Sequence, residues 1–298
     1  MRSTPRSRAL TATVCVLIGS AGIQVSAALA EGLFGRLPIP AVSGFRMTVA
    51  AAVLLLLTRP RLRGRTRSAW LGIVLYGVAM AAMNVLFYHA VQRVPLGVAV
   101  TLEFCGPLAV AAVGARGAQR LLPVLTLVGV ALVAGPQGDL DPVGVLAGLG
   151  AAAAFGGYTV LAGRVGDDDS GLGGLALSVT VGAVLLAPFS VPSIPLVEGR
   201  DLLPLAASGL LGVAMAFSLD FLAVRLTSPR VAGTLFAVDP VMGALVGATL
   251  LGDRLTGWML GGIGLVVASG AAVIWLSGRA AGPVSADGDA DELGVVLR

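Results

Sequence analysis

Long apolar runs, broken by clusters of Arg, Pro and Gly, dominate the chain. Each run approaches the ~20 residues a helix needs to cross a bilayer. The pattern predicts ten spans. Five lie near residues 10–30, 38–57, 70–91, 96–114 and 119–135, and five near 143–163, 171–191, 203–224, 231–251 and 256–277. The expected fold class is therefore an all-α integral membrane bundle. Arg2, Arg6 and Arg8, followed by an apolar run ending Ala28-Leu29-Ala30, imitate a secretory signal. The run from Ala9 is too long for an h-region and carries Gln24, so it reads as the first membrane helix.

The pattern repeats. Sliding the chain by 133 residues lays Asn84–Ala115 over Phe217–Ala248 without a gap, with twelve of 32 positions identical. Thr101-Leu102 falls on Thr234-Leu235 and Pro107 on Pro240, whereas this composition would give about three or four matches by chance. Internal repeats of this kind mark secondary transporters. The predicted domains are a first five-helix repeat over 9–135, a second over 143–277 and a disordered cytoplasmic tail over 278–298. Five spans per repeat place the second repeat upside down relative to the first.

Composition sharpens this picture. Of 298 residues, 56% are hydrophobic and 12% charged, too little polar surface for a soluble domain of this length. All 20 basic residues are Arg, which excludes a P-loop lysine and a Schiff-base lysine. A single His excludes an HExxH zinc helix. Cys15 and Cys105 both sit in apolar runs and read as buried small hydrophobes. No metal and no cofactor is expected, and the net charge of +4 does not point to nucleic acid, because the arginines lie in short loops. With the N-terminus inside, fourteen arginines fall in inner segments. Arg36, Arg93, Arg200 and Arg254 alone fall in outer loops, which predicts both termini cytoplasmic. Gly144-x-x-x-Gly148 and Gly257-x-x-x-Gly261 are candidate packing motifs within one bundle or at a homodimer seam.

Four ionisable residues fall within the spans: Arg46, Glu103, Asp220 and Asp239. At 1.5 Å per residue, Arg46 and Glu103 lie ~12 Å and ~10 Å from the outer ends of their spans, so the two are candidates for an ion pair. Asp239 lies ~12 Å from the inner end of its span. Asp220 lies only ~6 Å from an inner end, where solvation would account for it, and it is a further candidate for binding substrate or proton. An acid at membrane depth costs roughly 2.5–3.5 kcal/mol on insertion scales, so it usually meets a partner or a cavity. Glu103 and Asp239 are the candidate groups for exchanging a proton or for meeting the ammonium of an amino acid. Gln24, Asn84, Tyr88 and Tyr158 are candidate lining residues, and Thr234 and His89 weaker ones. Asn84 and Tyr88 share a helix face. Pro107 and Pro240 are candidate hinges at mid-depth. Enzyme motifs are lacking: Leu250-Leu-Gly-Asp253 lacks the first Gly of an aspartyl intramembrane protease, and Ala41-Val-Ser-Gly44 lacks that of a rhomboid.

Several motifs carry a resemblance to a known family. Asn84-Val-Leu-Phe-Tyr88 and Val94-Pro-Leu-Gly-Val-Ala-Val-Thr-Leu-Glu-Phe-Cys-Gly-Pro-Leu-Ala109 are similar to the Rht-type threonine/homoserine exporters. Phe217-Ser-Leu-Asp220, Gly233-Thr-Leu-Phe-Ala-Val-Asp-Pro240, Leu251-Gly-Asp-Arg-Leu-Thr256 and Gly44-Phe-Arg46 agree with it. These exporters form part of the EamA branch of the drug/metabolite transporter superfamily, and the resemblance covers residues ~9–277. It implies ten transmembrane helices in two inverted five-helix EamA repeats and a central cavity. The implied activity is export of a small amino-acid substrate through the inner membrane without ATP, with lipid as the surrounding partner. The second-half motif of the family more often shows Glu where this chain has Asp220, Asp239 and Asp253. A carrier for another metabolite or a toxic compound is the alternative.

Overall fold

A backbone that crosses lipid must satisfy its own N–H and C=O groups, and a helix does so within one segment. The computed structural model describes residues 5–112, 125, 128–132, 140–165, 172–226 and 235–280, and the regular structure among them is helical. The helices are α1 (Pro5–Glu31), α2 (Ile39–Thr58), α3 (Arg67–Val91), α4 (Leu96–Ala112), α5 (Pro142–Val165) and α6 (Leu172–Ser190). They continue with α7 (Gly199–Gly209), α8 (Ala216–Leu226), α9 (Asp239–Val246) and α10 (Gly257–Ala280). A π-helical stretch, Leu210–Met215, joins α7 to α8 as one rod, and another, Gly247–Leu251, extends α9.

Five stretches are long and apolar enough to cross a membrane: Leu10–Glu31, Ile39–Thr58, Arg67–Val91, Leu172–Ser190 and Gly199–Asp220. Shorter apolar helices accompany them at Leu96–Ala109, Pro142–Tyr158, Asp239–Leu251 and Gly257–Ser269. Of the expected fifth span, 119–135, only Leu125 and residues 128–132 are described, all helical. The expected span 231–251 differs more. Residues 227–234, Thr234 included, lie outside the described residues, and the chain turns at Ala237-Val238 before α9 begins. α10 runs to Ala280, and residues 281–298 of the expected tail lie outside the described residues.

Local chemistry sets the ends. Pro38 precedes α2, and Arg59 closes it in the left-handed region with its N–H donating to the Leu55 carbonyl. The Thr66 hydroxyl accepts from the Ala69 N–H at 3.2 Å to start α3. Asp141 accepts from the Val143 N–H at 2.8 Å at the start of α5, where Pro142 needs no donor. Gly252, with φ of +73°, follows the second π stretch and lets the Asp253 N–H return to the Gly247 carbonyl.

The packing registers can be read from glycines. A Cβ at Gly182 of α6 would lie 2.7 Å from Met47 Sδ of α2, and one at Gly44 would lie 3.0 Å from Ser190 of α6. The order of these contacts makes α2 and α6 antiparallel. The same logic runs α1 antiparallel to the α7–α8 rod, through Gly19 on Ala216 and Gly22 on Leu211, and α4 antiparallel to α9, through Gly97 on Ala244. α3 and α5 are antiparallel too, with Leu86 on Gly150 near one end and Tyr76 on Tyr158 near the other. Helices from before residue 113 thus pack chiefly on helices from after residue 139. One hydrophobic core, extending from Ala27 to Ile263, results. The outer face is apolar as well: Leu57 and Leu203 each expose 77% of their surface, as suits a lipid-facing shell.

Candidate functional site

Two polar clusters lie inside this apolar bundle. The first surrounds Arg46, midway along α2 and 3% exposed. Its Nη1 donates to Asn84 Oδ1 of α3 at 3.0 Å, and its Nη2 donates to Ser26 Oγ of α1 at 2.6 Å and to the Ser208 carbonyl of α7 at 3.4 Å. The Ser26 hydroxyl also donates to the Ser208 carbonyl at 2.9 Å. The guanidinium carbon sits 4.6 Å from the centroid of the Tyr88 ring, within cation–π range. A planar fork of donors suits this divergent set of acceptors better than a lysine would. The Nε–H is buried and has no hydrogen-bond partner among the described residues.

Glycine makes the approach possible. A Cβ at Gly209 would lie 2.7 Å from the Arg46 carbonyl oxygen, and one at Gly212 would lie 2.7 Å from Arg46 Nη2 and collide with Ser26 Oγ. Gly212 belongs to the π stretch Leu210–Met215, an irregularity that recurs at functional positions in helices.

The second cluster is acidic. Glu103 on α4 is 9% exposed, while Asp220 on α8 and Asp239 at the start of α9 are half-buried. Asp239 lies close enough to repel both Glu103 and Asp220. Asp220 meets α1 at Gly19, where a Cβ would lie 3.0 Å from Oδ1. Ser20, one residue on, lies near Asp239, but among the described residues its buried hydroxyl makes no hydrogen bond. Tyr158 of α5 packs at 5.2 Å from Tyr76, at 4.8 Å from Phe155 and at 6.4 Å from Phe217, and lies within the field of all three acids. Among the described residues no ion pair reaches these carboxylates, and no three His, Cys, Asp or Glu side chains converge as a metal would need. The N-terminus of α9 offers Asp239 a partial positive charge.

The expected hinges flank the acids in different ways. Pro107 lies inside α4, four residues after Glu103, and leaves the Glu103 carbonyl without an N–H from its own helix. Pro240 does not kink a continuous helix. It occupies the first turn of α9, just beyond the break at Ala237-Val238, where the missing N–H costs nothing.

Of the expected site residues, Arg46, Asn84 and Tyr88 come together, and Glu103, Asp220, Asp239 and Tyr158 do so separately. The candidate Arg46–Glu103 pair is not formed. Matching depth fixes one coordinate only, and the rotation of α2 aims Arg46 at α1, α3 and α7. Asp220, half-buried, lies in the acidic cluster beside Asp239 as well as near the end of its helix. Gln24 is 1% exposed, and its Oε1 has no hydrogen-bond partner among the described residues. The His89 ring lies 2.8 Å from the Val85 carbonyl of its own helix. Tyr76, Ser20, Ser26 and Ser208 escaped the sequence reading. Tyr76 had a weak signal, a phenol in the same apolar run as Asn84 and Tyr88. The serines had none.

At one end of the bundle, polar contacts join residues before 113 to residues after 139. Arg36 pairs with Asp201, and with Glu198 at 3.5 Å, while Arg200 pairs with Glu198 at 2.8 Å. Arg93 pairs with Asp141 at 3.5 Å. Asp253 Oδ2 accepts from the Leu96 N–H at 2.7 Å, capping α4 from the far half of the chain.

Comparison with known proteins adds to this geometry. Residues 142–275 match the model of the EamA-like transporter family. The chain is 32% identical over 267 residues to the threonine/homoserine exporter RhtA of Escherichia coli K12, covering 86% of this chain and 88% of that one. It is 33% identical over 254 residues to RhtA of Salmonella typhimurium LT2, covering 81% and 84%. A crystal structure at 21% identity superposes with a TM-score of 0.62 over 91% of this chain and 99% of the other, a likeness of fold.

Proposed function

The chain belongs to the EamA-like transporter family, and from that premise we propose that it exports small amino acids of the threonine and homoserine kind through the inner membrane, coupled to protons. That it is a multi-pass membrane protein and a transporter rather than an enzyme rests on the family and on its apolar helices. The relatives it matches over most of their length carry the name exporter.

One observation carries the finer reading: Glu103, Asp220 and Asp239 converge from three helices in an apolar bundle with no cationic side chain paired to them among the described residues. A buried acid left in that condition is costly unless it takes up a proton or meets a cation. A transported ammonium group supplies the cation, and a coupling proton supplies the neutralisation.

The framework we propose is a pair of inverted five-helix repeats, 9–135 and 143–277. Packing supports it, because the repeat relation carries the contact of α1 with α7–α8 into the contact of α5 with α3 and leaves the α4–α9 and α2–α6 pairs as self-pairs. The arginine distribution supports cytoplasmic termini. A carrier for another small metabolite is the second reading. It is favoured by the shorter acids Asp220, Asp239 and Asp253 in a motif where the resembled family more often has Glu.

The test is efflux of labelled threonine and homoserine from cells overproducing the chain, with the pH gradient imposed and then collapsed. Export that weakens on collapse supports the reading. Indifference to both amino acids alongside movement of an unrelated metabolite supports the second. Glu103→Gln and Asp239→Asn exporting at unchanged rate and pH dependence would remove the carboxylates from the mechanism.

A further inference from the structure

The two polar clusters carry opposite charge, and neither neutralises the other. α1 passes both, with Ser20 beside Asp239 and Ser26 bonded to Arg46. Six residues at 1.5 Å rise set the levels about 9 Å apart, and Gly212 to Asp220 on the neighbouring rod gives about 12 Å. Gln24 lies between them in height, and among the described residues Arg46, Gln24 and Ser20 each keep a polar atom buried without a partner, Nε, Oε1 and Oγ. Leaving a buried donor or acceptor unmade is expensive, so such atoms in a native bundle call for an explanation.

We propose that the space between these levels takes an α-amino acid as its zwitterion in one fixed orientation, carboxylate toward Arg46 and ammonium toward Glu103 and Asp239. This rests on the reading that the cargo is an amino acid. A hydrogen bond of about 2.8 Å at each end, added to the roughly 3 Å between the ammonium and carboxylate of an α-amino acid, bridges about 9 Å. The Arg46 Nε–H supplies a donor that the protein does not use, and the neighbouring Nη1 carries a second hydrogen beyond its bond to Asn84. The carboxylate level supplies acceptors for an ammonium and has no internal cation. Gln24 Oε1 is placed in height to receive a side-chain hydroxyl. Entry requires the helices to part, and the irregular elements beside the two levels, the π stretch at Gly212, Pro107 and the break before Pro240, are where the backbone can yield.

The orientation is tested with purified full-length protein in proteoliposomes and three labelled probes: L-threonine, L-threoninamide, which lacks the carboxylate, and 2,3-dihydroxybutanoate, which lacks the ammonium. The wild type should move threonine at least about tenfold better than either analogue. Arg46→Lys, which keeps the charge but loses the fork, should collapse the preference for threonine over the amide while leaving residual amide transport. Asp239→Asn should instead narrow the gap between threonine and the hydroxy acid. Equal losses for all three probes in both variants would overturn the assignment. So would a wild type that carries threonine and threoninamide equally well, a result independent of whether any variant folds. A wild type that moves none of the probes sinks the exporter reading, and this inference with it.

Discussion

Arg46 and Glu103 are both buried deep in apolar helices, yet their circumstances are opposite. Arg46 is held by three neighbouring helices, with bonds to Asn84, Ser26 and Ser208 and the face of Tyr88 beneath it. Glu103 has an acidic neighbour and, among the described residues, no paired cation. The first arrangement is one in which the protein meets most of a charge's needs itself, so losing a member should register as lost stability. The second leaves the need open, so its members should register in transport with little change in stability. Substitutions that separate these two readouts either break or sharpen the contrast.

The largest effect is expected at Glu103. Glu103→Gln keeps shape and hydrogen-bonding capacity but removes the charge, so export should fall on the order of a hundredfold, equivalent to about 2.7 kcal/mol. Thermal unfolding in detergent should be unchanged or shifted upward, because the repulsion with Asp239 is gone. A drop in melting temperature together with normal export would show that Glu103 is a purely structural group, and the contrast would fail.

Gly212→Ala tests the other pole. The added methyl meets Ser26 and the Arg46 guanidinium, and it must displace a well-packed side chain or the rod itself. Overpacking of this kind costs about 2 kcal/mol. The loss should appear as a lower unfolding midpoint, and Gly157→Ala, where a Cβ meets nothing within 4 Å, is the control. Asn84→Ala should cost somewhat less, about 1.5 kcal/mol, by leaving Arg46 Nη1 without its acceptor. If Asn84→Ala is neutral in unfolding, Arg46 is not held as tightly as its contacts imply.

Much of the bundle was legible in the chain because lipid imposes a length and a composition on each helix. The ends of α2, α3 and α5 fall within a few residues of expectation, since Pro38, Thr66 and Asp141-Pro142 mark them chemically. The acids and Arg46 stood out because charge is rare in such runs. Their partners did not, for two reasons. Depth along a span is readable from sequence, but rotation about the helix axis depends on packing, so Arg46 turned to Ser26 and Ser208 rather than to Glu103. Serine carries almost no signal in an apolar run, yet it supplies both the hydroxyl and the carbonyl that hold the guanidinium. For Asp220 the sequence showed only a short distance to the helix end; that α1 approaches it at Gly19 depends on packing. Pro240 was expected inside a helix because the run is continuous in hydropathy, and only the turn at Ala237-Val238 makes it the first residue group of a new one.

The smallest expected effects lie at the clasped end, where two ion pairs sharpen the contrast in miniature. Arg36 pairs with Asp201, a side chain 1% exposed, and the hydrogen bond to Asp201 raises the arginine's pKa, so the pair stays charged at any working pH. Arg93 pairs with Asp141 at 3.5 Å, and both side chains are substantially open, at 31% and 40%. Arg93→Ala should therefore cost under about 1 kcal/mol and fade further as salt is raised, because exposed pairs are screened. Arg36→Ala should cost more and resist salt better, since it leaves Asp201 enclosed without its cation. Unfolding midpoints for the two variants at low and high ionic strength decide the matter. Equal, salt-sensitive losses would mean that Asp201 is open to solvent and that enclosure does not separate the two pairs.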